Sequence, residues 1–260
     1  MIELTREVRF SLIGEAATET PVTNSWGGWP SATRIAPWLT LQCTVAGSLD
    51  PDSGYLHDIS DIDRTIRQQV VGPASRKFRD ANCESFLVFA WQVLCDHFSG
   101  EVRVTKLRLS PTPFLHYSLH ADNDAMFQLT QQFEFSASHR LHNPDLSDEE
   151  NRKLFGKCNN PHGHGHNYVV DVTIVGETCD LLPLPQFESI VKQQVIDRLD
   201  HRNLNLEVDE FRELNPSVEN IAMVIWRWLN DSMGDSMLDR VRVFETPKTW
   251  ADYRGTGNQT

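Results

Sequence analysis

The chain is short of positive charge, of cysteine and of long apolar runs, and each shortage excludes something. Over 260 residues, Lys and Arg number 24 against 36 Asp and Glu, a formal net charge of −12. That is the wrong sign for a protein that binds nucleic acid or an anionic membrane through its overall field. The longest uninterrupted apolar runs, residues 86–91 and 221–226, are six residues each, far below the ~20 that cross a bilayer. The first ten residues, MIELTREVRF, show no basic stretch followed by an apolar one. No secretory signal is read there, and the cytoplasm is the expected compartment. The five cysteines (Cys43, Cys83, Cys95, Cys158, Cys179) are odd in number and contain no C-x-x-C pair. A disulfide framework and a four-cysteine zinc module are therefore both disfavoured.

What is present is an ordinary globular composition, 40% apolar and 23% charged, and a chain that repeats itself. Residues 41–47 (LQCTVAG) read like 170–176 (VDVTIVG), and 66–71 (IRQQVV) like 191–196 (VKQQVI). Residues 84–91 (ESFLVFAW) read like 219–226 (ENIAMVIW), and 107–109, followed by Thr112-Pro113, like 241–243, followed by Thr246-Pro247. Four matches in the same order, at offsets between 125 and 135, imply two units of ordinary domain size, 1–125 and 126–260.

The second unit reads as strand, strand, helix, helix, strand, strand. Phe133, Phe135 and Ala137 alternate with polar neighbours up to about Arg140, and residues 168–175 are rich in β-branched side chains. Ile190, Val191, Val195, Ile196 and Leu199 keep a helical period, as do Ile221, Val224, Ile225, Trp228 and Leu229 behind an N-cap at Ser217. Two short strands follow, near 241–245 and 250–253. The expected class is α+β, with each unit a four-stranded antiparallel sheet carrying two helices on one face. Open sheet edges favour pairing between units into a closed barrel, hence oligomers.

Five of the ten histidines lie between His139 and His166. On a strand, residues two apart share a face, so His164 and His166 present their imidazoles side by side. His139 ends the preceding strand and reaches the same place if the two strands form a hairpin. Three imidazoles with an open fourth position describe a catalytic zinc site rather than a closed structural one. His162 also has the two-residue spacing, so spacing alone leaves the ligand set open.

Residues 135–141 (FSASHRL), 154–161 (LFGKCNNP), 163–168 (GHGHNY) and 199–204 (LDHRNL) resemble the family of 6-pyruvoyl-tetrahydropterin synthases and 6-carboxy-tetrahydropterin synthases. The resemblance spans about residues 130–255. It implies the tunnelling fold for the unit read above, units assembled into barrels, six units and hence three chains by analogy with family barrels, and active sites at subunit interfaces. It implies zinc on His139, His164 and His166, with His162 outside the metal shell. Cys158 falls at the catalytic cysteine, Asp200 and His201 at the acid–base pair, and Glu245 and Glu219 at the carboxylates that bind the pterin.

The implied reaction expels triphosphate from 7,8-dihydroneopterin triphosphate and shifts protons along the side chain to give a diketone. Zinc at the side-chain hydroxyls acts as a Lewis acid, and a thiolate beside Lys157 suits proton abstraction from carbon. A carboxylate can accept two N–H bonds from the pterin edge. The 6-carboxy branch uses the same residues. Five residues separate Cys158 from His164, as in the pyruvoyl branch, while His162 offers the three-residue spacing of the other. A pterin-binding protein without turnover and a zinc-storage protein are the remaining readings.

At corresponding positions the first unit has Trp29, Ile35, Pro37, Ser75, Arg76 and Pro111, and only Glu84 keeps its counterpart, Glu219. It reads as a structural copy without the chemistry, whose Arg34, Arg76 and Lys77 are the charges available to a neighbouring triphosphate.

Overall fold

The computed structural model describes residues 1–12, 37–77, 82–122, 126–177, 181–233 and 237–255; the side chains of 75–77 and 237 are outside the description. The chain forms two compact units, Met1–Leu129 and Thr130–Thr260.

The first unit contains β1 (Ile2–Phe10), β2 (Leu39–Gly47), α1 (residues 59–77), α2 (Cys83–His97), β3 (Arg103–Thr112) and β4 (Leu115–His120). Its antiparallel sheet runs β1-β2-β3-β4. Alternate strand residues are buried (Val8, Leu41, Cys43, Leu107, Leu109, Leu119), together with Ile62, Ile66, Val70, Leu87 and Leu94 of the helices. Each helix starts at a side-chain cap, Asp58 accepting from the Ser60 amide and Asn82 from the Ser85 amide. Asp63, 1% exposed, is gripped by Arg6 at 2.6 Å and Arg67 at 2.7 Å.

The second unit contains β5 (Met126–His139), α3 (Asp148–Phe155), β6 (His164–Glu177), α4 (residues 184–199) and β7 (Arg202–Asn203). It continues with α5 (Leu204–Glu207), α6 (Val218–Asn230), β8 (Met237–Thr246) and β9 (Thr249–Tyr253). The sheet order is β5-β6-β8-β9, with β7 parallel to β5. One face carries Phe135, Tyr168, Val170, Val172, Val241 and Val243, buried with Phe187, Val191, Val195, Ile221, Ile225 and Leu229 of α4 and α6. The other face is polar: Thr130 bonds Thr173, Gln132 bonds Asp171, and Arg242 makes a two-pronged bond to Asp252.

The strands run longer than periodicity indicates. Phe127 and Leu129 extend β5 backwards in the buried register, but Gln131 interrupts the apolar letters because it faces α4 and donates to Glu188. Both long helices also contain a π-turn, Ile66–Val71 in α1 and Lys192–Ile196 in α4. The four matched sequence pairs fall on β2 and β6, α1 and α4, α2 and α6, and β3 and β8. Among the described residues β1 pairs with β2 alone and β9 with β8 alone, so these two edges are open within one chain. No helix among the described residues is long and apolar enough to cross a membrane.

Candidate active site and metal centre

The side-chain bonds between β5 and β6 (Thr130 to Thr173, Gln132 to Asp171, Ser136 to Asn167) step in opposite directions, as antiparallel strands must. Continuing that step sets His139 across from His164, with ring centroids 4.4 Å apart. His166 lies 4.9 Å from His164 and 5.2 Å from His139. Gly163 makes the entry to β6 possible: its φ is +71°, and a Cβ there would meet the His139 carbonyl oxygen at 3.0 Å.

Glu245 continues the buried face of β8 and brings its Oε1 to 3.4 Å from His139 Nε2 and 3.5 Å from His166 Nε2. Ligand atoms of His139, His164, His166 and Glu245 all lie within 4.8 Å of one another. Burial holds His139 and His164 below the usual imidazole range, so both rings are neutral near pH 7. The contact between His139 and Glu245 is therefore not an ion pair.

His139, fully buried, shares a 2.7 Å hydrogen bond between Nδ1 and the Pro216 carbonyl oxygen. A carbonyl can only accept, so Nδ1 carries the proton and Nε2 presents its lone pair. His139 Nε2, His164 Nδ1 and His166 Nε2 are buried without a hydrogen-bond partner among the described residues. Imidazoles with converging unsatisfied nitrogens, one oriented by a backbone carbonyl, fit a divalent ion such as zinc. His162 is exposed and outside this group.

Cys158 sits in the 3-10 turn Gly156–Asn159 that follows α3. Its carbonyl accepts from the Leu141 amide, and Asn159, nearly buried, donates to the Leu141 carbonyl at 2.7 Å. The turn is thus tied to the segment just beyond His139. A cavity of about 840 Å³ is lined by Cys158 and His164 together with Arg140, Arg152, Lys157 and Asp148.

Asp200 and His201 pair through an Oδ2–Nδ1 contact of 2.8 Å. Asp200 Oδ1 accepts from the Ser136 amide, and the His201 amide donates to the Ser136 carbonyl. Chiefly the Ser136 N–H, then His201, holds the Asp200 carboxyl below its usual range. His201 has φ +58°, the one non-glycine in the left-handed region among the described residues, and its ring is 83% exposed. It lines a separate cavity of about 560 Å³ with Ser136, Ser138, Asn167 and Glu207. The structure therefore brings the three histidines and Glu245 together with Cys158 nearby, while His201 lines the second cavity, which His166 also borders.

Glu219 is exposed in the first turn of α6, behind the Ser217 cap. Arg34 lies outside the described residues, as do the side chains of Arg76 and Lys77. Sequence reasoning passed over Tyr168, although the two-residue period from His164 and His166 points to it. Pro216 gave no signal at all.

Fold and site together put the protein among α+β proteins of the tunnelling-fold class that carry a metal-type histidine cluster. The sequence model of the 6-pyruvoyl tetrahydropterin synthase family matches residues 128–256. The human 6-pyruvoyl tetrahydrobiopterin synthase is 42% identical over 132 residues, covering 49% of this chain and 91% of that protein. The chain belongs to the 6-pyruvoyl tetrahydropterin synthase family. The solved structure of the Caenorhabditis elegans synthase is 38% identical and covers 50% of this chain and 96% of that one, with a TM-score of 0.48. Uricase from Arthrobacter globiformis covers 100% of this chain and 96% of its own at 9% identity and a TM-score of 0.53, a likeness of fold.

Proposed function

We propose that the second unit is a zinc-dependent synthase that converts 7,8-dihydroneopterin triphosphate to 6-pyruvoyl-tetrahydropterin with release of triphosphate. The observation that carries this reading is the convergence of three buried, unpartnered imidazole nitrogens beside the cavity that holds Cys158. His139, His164 and His166 would hold the zinc, which when bound supplies Lewis acidity at the substrate's side-chain oxygens. Cys158 takes the proton from the side-chain carbon. Arg140, Arg152 and Lys157, in the same cavity, attract the triphosphate. Glu219 suits the pterin edge. Glu245, beside the three histidines, suits the N–H edge of the pterin ring as well.

His201, paired with Asp200, and Cys158 line different cavities. We therefore assign the proton relay to a second copy of the chain, whose Asp200–His201 completes the Cys158 site, in an assembly of three chains and six units. The first unit fills a barrel position without chemistry. Its matched segments on corresponding elements support this, as does the lack of any comparable His/Cys/Asp/Glu group among its described residues.

The exposed His162, outside the histidine cluster, supports reading the spacing as the five residues from Cys158 to His164, and with it the pyruvoyl product over the 6-carboxy one. The test is anaerobic incubation of zinc-loaded protein with 7,8-dihydroneopterin triphosphate, products resolved by mass, for wild type and Cys158→Ala. Expected is a 6-pyruvoyl product with triphosphate release, absent in the variant. A 6-carboxy product would move the chain to the other branch, and tight pterin binding without turnover would remove the enzyme reading.

A further inference from the structure

Tyr168 carries a group that the proposed chemistry leaves unused. The side chain is fully buried, its ring stacked on Phe135 at 4.9 Å and set edge-on to His139 at 6.0 Å and His166 at 5.5 Å. Its hydroxyl is also buried, yet has no hydrogen-bond partner among the described residues. Leaving a buried hydroxyl unpaired costs folding free energy, and phenylalanine would fill the same stack without that cost. A retained, costly hydroxyl calls for a partner that arrives later.

The surroundings say what kind. The β6–β8 register pairs Val169 with Phe244 and Val170 with Val243, which sets Tyr168 opposite Glu245. Tyr168 thus belongs to the same sheet face as the three imidazoles, whose unpartnered nitrogens share its neighbourhood. Lone pairs on nitrogen call for a cation; a buried phenol calls for an oxygen. A phenol is protonated at neutral pH and so a donor.

We propose that the Tyr168 hydroxyl is a substrate-binding group that donates its hydrogen bond to a hydroxyl or carbonyl oxygen on the side chain of the bound pterin. This rests on the reading of the second unit as a pterin site. It makes Tyr168 a reader of the side chain rather than of the ring, and no part of the metal shell.

The experiment compares wild type and Tyr168→Phe, zinc-loaded, by equilibrium dialysis against two ligands. Neopterin carries side-chain oxygens, and 6-methylpterin has none. Expected for the variant is a loss of about tenfold in neopterin affinity, with 6-methylpterin affinity and zinc stoichiometry unchanged. The ligand-free variant should melt at the same temperature or higher, since an unsatisfied group has gone. Equal weakening of both ligands, no weakening, or a lowered melting temperature would each overturn the proposal, the last by showing that protein or buried water already satisfies the hydroxyl. Failure of the wild type to bind either pterin would defeat the pterin reading and this proposal with it. Tight wild-type binding of neopterin that Tyr168→Phe leaves intact would defeat the Tyr168 role alone.

Discussion

His139 is fixed from one side and open on the other: the Pro216 carbonyl holds Nδ1–H, and Nε2 faces His166 and Glu245. His139→Ala should therefore cost zinc affinity by more than about 100-fold, read as metal lost on dialysis against a mild chelator. His162→Ala should retain the metal. A second residue-scale expectation concerns His116 in the first unit, whose Nδ1 bonds the Ser110 hydroxyl at 2.8 Å. Burial, then Arg108, lowers its pKa to about 4 against an ordinary 6.5. The unfolded chain thus binds the proton more readily, so the contribution is fully present above pH 6.5 and is lost as pH falls toward 4. His116→Gln should flatten the urea midpoint across that window, removing on the order of 1–2 kcal/mol of its slope after allowance for the ring's partial exposure. At this scale the sequence told much about the imidazoles, because a period of two is written in the letters. It told less about Glu245, which reaches the cluster through a strand register that adjacent residues do not encode.

At the scale of elements, α3 delivers Cys158. Ser147 and Glu150 form a capping box at its start, and the fully buried Asn151 ties it to the loop before it. The Asn151 amide donates to the carbonyls of Asn143, Leu146 and Ser147 and accepts from the Asn143 amide. Ser147→Ala should cost about 1 kcal/mol. Asn151→Ala should cost about 2–4 kcal/mol, because several buried backbone groups lose their partner together. Chemical denaturation measures both, and turnover should fall more in the second, since the Cys158 turn follows directly. The helices α4 and α6 were legible from their apolar period, and Ser217 does cap α6, accepting from the Asn220 amide. The π-turn in α4 was not, since one added residue shifts the phase without changing the kind of letters. The early part of β5 was hidden by Gln131, a polar residue in an apolar register.

For the whole molecule, the deciding fact is that Cys158 and His201 line different cavities. Cys158→Ala and His201→Ala should each be inactive alone. After unfolding together in equal amounts and refolding, they should recover about a quarter of wild-type activity, the share of interfaces at which an intact cysteine meets an intact histidine. Recovery of nothing would return both residues to a single-chain site. The proposed doubling is written in the sequence as four matched segments, which fall on corresponding elements of the two units; the placement of sites in an assembly is not, because no local pattern records it. The two π-turns carry a consequence of another kind. Each is one residue too many slipped into a helix, and in both units the surplus falls on the same Gln-Gln-Val, residues 68–70 and 193–195. Separate accidents at the same tripeptide would have to coincide, whereas one ancestor carrying the insertion and copied once accounts for both. Under the proposed duplication the extra residue acts as a date stamp, placing the insertion before the halves parted and before one of them lost its histidines.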